Sequence, residues 1–120
     1  MSPAAASLGT QYLIELAGCA PAVLSRVDAV EASMRAAAEA IGATVLSGHF
    51  HQFEPHGVSG VLVISESHFA VHTWPERGYA AVDLFTCGPK RLHPRAAVAL
   101  LRLHWAAEST EVRPVERGPG

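Results

Sequence analysis

Reactive side chains gather between His49 and Cys87 of this 120-residue chain. His49, His51, His56, His68 and His72 stand there with Ser59, Ser65, Ser67, Glu66, Glu76, Asp83 and Cys87. Two chemistries use such residues. One is metal binding: on strands, His49 and His51 share a face, as do His68 and His72, and histidine is the commonest metal ligand. The spacing matches neither HExxH nor a paired Cys/His pattern, and strand histidines are often bystanders. The other is nucleophilic catalysis by a Ser/His/Asp or Cys/His set, for which Ser67, His72, Asp83 and Cys87 supply the types. The G-x-S-x-G elbow is missing, Gly57-Val58-Ser59-Gly60 being one residue short of it. Residue types alone leave both chemistries open.

The elements that must position these groups follow from periodicity and punctuation. Thr10 to Leu16 is rich in β-formers and predicts a strand. From Pro21, suited to a first helical turn, to Ile41, the apolar residues Val23, Leu24, Val27, Val30, Met34, Ala37, Ala38 and Ile41 repeat at 3.6 residues and predict one helix, with Gly42 as its C-terminal cap. Strands are predicted over Ala43–Phe53, Val58–Ser65, Ser67–Trp74 and Tyr79–Thr86, joined by turns short enough for antiparallel neighbours. Pro94–Ala107 reads as a second helix with an apolar stripe of Val98, Leu101, Leu103 and Trp105, and Thr110–Val115 as a last strand. Two helices on a mainly antiparallel sheet predict an α+β two-layer sandwich. Too few charges remain to solvate the second sheet face, which predicts a dimer packed sheet to sheet.

Composition narrows the classes. One domain of this length buries about two thirds of its unfolded surface. Apolar residues make up 49% and charged residues 17%, the reverse of a disordered chain. A net charge of -2 gives a polyanion nothing to bind, so nucleic acid is not an expected partner. Cys19 and Cys87 are too few for a disulfide framework or a four-thiolate zinc site. No run reaches ~18 apolar residues and no signal peptide is evident, so no membrane partner is expected, and the expected location is the cytoplasm.

One stretch is more specific. Val61–Gly88 resembles the prokaryotic S-adenosylmethionine decarboxylase proenzymes, through Ser65-Glu66-Ser67-His68, His72-Thr73-Trp74-Pro75-Glu76 and Asp83-Leu84-Phe85-Thr86-Cys87-Gly88. Phe50-His51-Gln52-Phe53 and Gly57-Val58-Ser59-Gly60 match upstream, and a looser likeness runs from about Leu8 to Gly118. The resemblance implies a single decarboxylase domain over residues 1–120 that cuts itself between Glu66 and Ser67, giving a β chain of 1–66 and an α chain of 67–120. Ser67 would become a pyruvoyl group that takes the substrate amine as a Schiff base, with no external cofactor and no metal. The activity implied is decarboxylation of S-adenosylmethionine for spermidine and other polyamine synthesis, by a homodimer of cleaved protomers. The alternative in the same superfamily is a pyruvoyl-dependent ornithine or arginine decarboxylase. A silent homologue that only binds would not need the Ser67, His72 and Cys87 set.

By the same match, His72 is the processing base, Ser59 the serine that assists it, and Cys87 the proton donor in turnover. Phe53 and Trp74 would meet adenine and the sulfonium, and Glu76 the ribose diol. The resemblance gives Cys19, His68 and Asp83 no firm role. The chain departs from the pattern at Gln11, where many relatives carry histidine. One tension is internal: Ser67 and His72 are five residues apart, so a regular strand points them to opposite faces. A turn, a bulge or a rearrangement after cleavage would be needed to bring them together.

Overall fold

A computed structural model describes residues 7–88 and 91–119. Strand β1 (Gly9–Ala17) leads into helices α1 (Pro21–Ser25) and α2 (Val27–Ala40). Four strands follow: β2 (Val45–Gln52), β3 (Val58–Ile64), β4 (Ser67–Trp74) and β5 (Tyr79–Cys87). Helix α3 (Arg95–His104) and strand β6 (Ser109–Arg117) complete the chain. The strands form one sheet in the order β2-β3-β4-β5-β1-β6, with every neighbouring pair antiparallel. This is the α+β sandwich read from the sequence, with three helices rather than two.

The extra helix arises because the expected Pro21–Ile41 helix is broken at Arg26, whose backbone is extended (φ -119°, ψ 143°). The cause is a side chain from another element. The Gln52 amide donates to the Ser25 carbonyl at 2.8 Å and accepts from the Val27 N–H at 2.6 Å. It thereby satisfies both backbone groups that the break exposes. Thr73 ties α1 to the sheet, its buried hydroxyl donating to the Leu24 carbonyl and accepting from the Val58 N–H. In α3, Leu101 and Trp105 are buried as expected, whereas Leu103 is 80% exposed. It stands two residues from Leu101, about 200° around a helix turning about 100° per residue.

Alternation along the strands separates two faces. Phe69, Val71 and Thr73 of β4, with Ala80, Val82, Leu84 and Thr86 of β5, are buried beneath the helices. With Ile14, Leu16, Leu24, Met34, Leu62 and Trp105 they make the core. His68, Ala70, His72 and Trp74 of β4 and Tyr79, Ala81, Asp83 and Phe85 of β5 point the other way and are half-buried or exposed. No helix covers that second face among the described residues. It carries the exposed Val63 and Val115.

Candidate active site

The β3–β4 hairpin pairs Ile64 with Ser67, leaving Ser65 and Glu66 as its two-residue turn. Such turns need positive φ, and here Glu66 supplies it (φ 66°) without being a glycine. A left-handed L-residue costs roughly 1–2 kcal/mol, so the peptide leading into Ser67 is held in strain. Antiparallel pairing of β4 with β5 brings Cys87, 21 residues on, to this turn. Its thiol donates to the Glu66 carbonyl oxygen at 2.9 Å. The Ser67 Oγ is buried and finds no hydrogen-bond partner among the described residues. A buried orphan hydroxyl costs about 1–3 kcal/mol and asks for a reason such as reactivity.

Gly88, just past Cys87, is left-handed (φ 85°), and a Cβ there would collide with the Glu66 carboxylate. A Gly88→Ala chain is therefore strained in the backbone next to Cys87, and the Glu66 carboxylate has to swing aside. The self-cleavage expected between Glu66 and Ser67, followed by gel densitometry, should slow about tenfold or more in this chain while its circular dichroism spectrum stays that of the parent.

A second group of residues lies at the other end of the sheet. Ser59 pairs with His72 across β3 and β4, and His51 pairs with Ser59 across β2 and β3. The His72 imidazole stacks with two aromatic rings. Trp74 stacks on it at 4.0 Å and 7°, and Phe53 faces it at 5.8 Å and 13°. Tyr79 stacks on Trp74 at 5.3 Å, and its hydroxyl donates to Glu15. Burial and that carboxylate push the Tyr79 phenol up to about 12. An open groove of about 620 Å³ runs past His49, His51, Phe53, Ser59, His72 and Asp83. Burial pushes the Asp83 carboxyl up, with His68 opposing the shift. Glu76, in the turn after β4, is held below the usual carboxylate range, chiefly by its own backbone N–H and also by His56. The His56 Nε2 to Glu76 Oε1 distance is 3.2 Å. No three His, Cys, Asp or Glu side chains among the described residues gather as a metal cluster.

The expected site residues thus fall into two groups. Glu66, Ser67 and Cys87 meet at the hairpin turn, whereas Ser59, His72, Phe53 and Trp74 meet at the far end of β4, with Glu76 just beyond. No bulge reconciles them, since β4 pairs without a register break from Ser67 to His72 against β3 and from His68 to Trp74 against β5. At about 3.3 Å per residue, Ser67 and His72 of one chain stand roughly 17 Å apart, on opposite faces. Sequence reasoning missed Gly88, which a lone glycine after a strand could have flagged, and the contact of His56 with Glu76, which only tertiary pairing reveals.

A family profile described as S-adenosylmethionine decarboxylase matches residues 10–118. Three relatives carry the name S-adenosylmethionine decarboxylase proenzyme. The chain is 57% identical to the one from Thermosipho melanesiensis over 82 residues, covering 68% of this chain and 63% of that protein. It is 46% identical to the Fervidobacterium nodosum protein over 112 residues, covering 93% and 81%. It is 47% identical to the Moorella thermoacetica protein over 112 residues, covering 93% and 89%. Among solved structures, the adenosylmethionine decarboxylase of Aquifex aeolicus superposes with a TM-score of 0.84 at 32% identity, covering 97% of this chain and 95% of that one.

Proposed function

This chain belongs to the S-adenosylmethionine decarboxylase family, and from that premise we propose that it is a proenzyme which cuts itself between Glu66 and Ser67 and then decarboxylates S-adenosylmethionine. The observation that carries this reading is the hairpin turn, where an orphaned Ser67 hydroxyl adjoins a strained Glu66 peptide whose carbonyl already accepts a hydrogen bond from Cys87. Nothing reported above favours ornithine or arginine as the substrate.

The chemistry follows from these groups. The Ser67 Oγ attacks the Glu66 carbonyl carbon, and the Cys87 S–H stabilises the negative charge that develops on the carbonyl oxygen. Collapse moves the acyl group from nitrogen to oxygen. A base then takes the Ser67 α-proton, Glu66 leaves as a carboxylate, and water releases ammonia. The donor set fits a pyruvoyl group at residue 67, because its precursor hydroxyl has no competing partner. When formed, that group supplies the electron sink that ordinary side chains lack. Cys87 stays at hand to return a proton to the substrate α-carbon. Cys87→Ala should slow both cleavage and turnover by about 10²-fold or more while the oligomer, followed by size-exclusion chromatography, is unchanged.

His72 and Ser59 take part through a second copy. Their roughly 17 Å separation from Ser67 along β4 supports action across copies, and the uncovered sheet face with Val63 and Val115 is suited to bury a partner's sheet. Ser67 also lines an open cavity with His68 and Phe85, which point to that face, so a base on a facing copy has access to it. The working unit is then a homodimer of cleaved protomers. Phe53, 40% exposed, offers a ring to adenine, and the ionised Glu76 offers acceptors to the ribose diol. Trp74, stacked with His72 and Tyr79 at the same end, is the second aromatic ring the resemblance assigns to adenine and the sulfonium. No helix among the described residues is long and apolar enough to cross a membrane, and two unpaired cysteines suit a reducing cytoplasm.

Carboxyl-labelled S-adenosylmethionine, ornithine and arginine, offered in parallel, test the substrate. Carbon dioxide should come from the first alone. Equal or greater release from either amino acid would replace the substrate assignment.

A further inference from the structure

A row of three residues crosses the sheet beside the hairpin turn. Gly9 of β1 pairs with Cys87 of β5 on one side and with Arg117 of β6 on the other. Directly paired residues of an antiparallel sheet point to the same face. Cys87 and Arg117 therefore share a face, two strand spacings or about 10 Å apart, and the residue between them has no side chain. Phe85 uses that space: a Cβ on Gly9 would come within 2.6 Å of the Phe85 ring. The Arg117 guanidinium lies over the same ring, 5.8 Å from its centroid. Arg117 and Phe85 line, with Glu66, Ser67 and His68, an open cavity of about 510 Å³. Glu66 does not neutralise the arginine, since its carboxylate lies against Gly88 instead. Among the described residues the ion pairs join Arg26 to Glu54, Arg35 to Glu31 and His56 to Glu76, and none includes Arg117.

We propose that Arg117 is a specificity-determining residue that grips the carboxylate of the substrate beside Ser67. This rests on the reading of the chain as a decarboxylase that takes the amine of S-adenosylmethionine at residue 67. The carboxylate of that substrate stands on the carbon bearing the amine, so it lies close to residue 67, in the cavity that Arg117 lines. A guanidinium offers a carboxylate two parallel N–H donors, and it keeps its charge at any working pH. Contact with the Phe85 ring holds the cation in place and leaves those donors for an anion. The charges also suit turnover. The substrate carries a carboxylate, an ammonium and a sulfonium, and release of carbon dioxide removes its one anionic group. The product keeps two cationic groups, which the same guanidinium repels. One residue thus attracts the substrate and sheds the product.

The test uses two ligands that lack the amine and so do not react at residue 67. One is deamino-S-adenosylmethionine, and the other is the same sulfonium with hydrogen in place of the carboxylate. Binding of each to the full-length protein is measured by isothermal titration calorimetry. The native protein should bind the carboxylate ligand about tenfold or more tightly than its counterpart. Arg117→Gln should bind the two within about threefold, having lost affinity for the carboxylate ligand alone. Arg117→Lys, which keeps the charge without the fork, should fall between them.

A native protein without this preference, or an Arg117→Gln protein that retains it, would overturn the proposal. Equal loss of both ligands in Arg117→Gln, with the preference of Arg117→Lys unchanged from the native protein, would give the residue a structural role and overturn it too. A native chain that never cleaves would instead refute the self-processing reading. The ligand comparison still stands in that case, because neither ligand reacts.

Discussion

Ser67→Ala yields a single folded chain of 120 residues that neither cleaves nor releases carbon dioxide. The loss is complete rather than partial, because the substitution deletes an atom that becomes part of the product. Among the described residues the nearby nucleophile is the Cys87 thiol, and it is committed to the Glu66 carbonyl oxygen. Stability should move the other way. The Ser67 Oγ is buried without a partner among the described residues, so removing it relieves a desolvation cost of about 1–3 kcal/mol, while the strain at Glu66 stays. Urea denaturation should therefore place Ser67→Ala level with, or above, the uncleaved parent. A Ser67→Ala chain that cleaves would end the assignment of this serine. One that is markedly less stable would show that its hydroxyl has a partner after all.

The second large effect concerns pairs of chains. Ser67→Ala and His72→Ala should each be inert alone, yet co-expression should restore cleavage, and only in the His72→Ala chain. The proposal sends His72 to the other copy because the two positions lie roughly 17 Å apart along β4. In a mixed dimer, one of the two sites then holds an intact Ser67 facing an intact His72, and the other holds neither. With random pairing about half of the His72→Ala chains meet a Ser67→Ala partner and cleave, while every Ser67→Ala chain stays whole. Mass tags on the two variants read this directly. If His72 worked on its own chain, mixing would restore nothing.

The fold was largely legible because its determinants are local. Strand alternation put His68 and His72 on one face, as found, and the structure adds Phe69, Val71 and Thr73 on the buried one. Pro21 and Gly42 bounded the first helical stretch. Its break at Arg26 was not legible, since it is made by the Gln52 amide from the end of β2. Leu103 was assigned to the buried stripe on its apolarity alone, although its phase on α3 turns it outward.

The site divides in the same way. The separation of Ser67 from His72 could be counted from five intervening steps along a strand. The meeting of Cys87 with Glu66 could not, because it depends on the β4–β5 register. Neither could the stacking of Phe53 on His72, which brings a ring in from beyond the end of β2. Residue types announced the chemistry, and strand pairing decided which of those residues meet.

Self-cleavage is the event on which all of this depends, and intact-mass spectrometry of freshly made, denatured protein reads it most directly. Two species should replace the full chain: residues 1–66 with an ordinary C-terminal carboxylate at Glu66, and residues 67–120 with a pyruvoyl group in place of Ser67, closed to Edman degradation. A chain that stays whole through prolonged incubation, or a second fragment that begins with an unaltered, sequenceable serine, would contradict it.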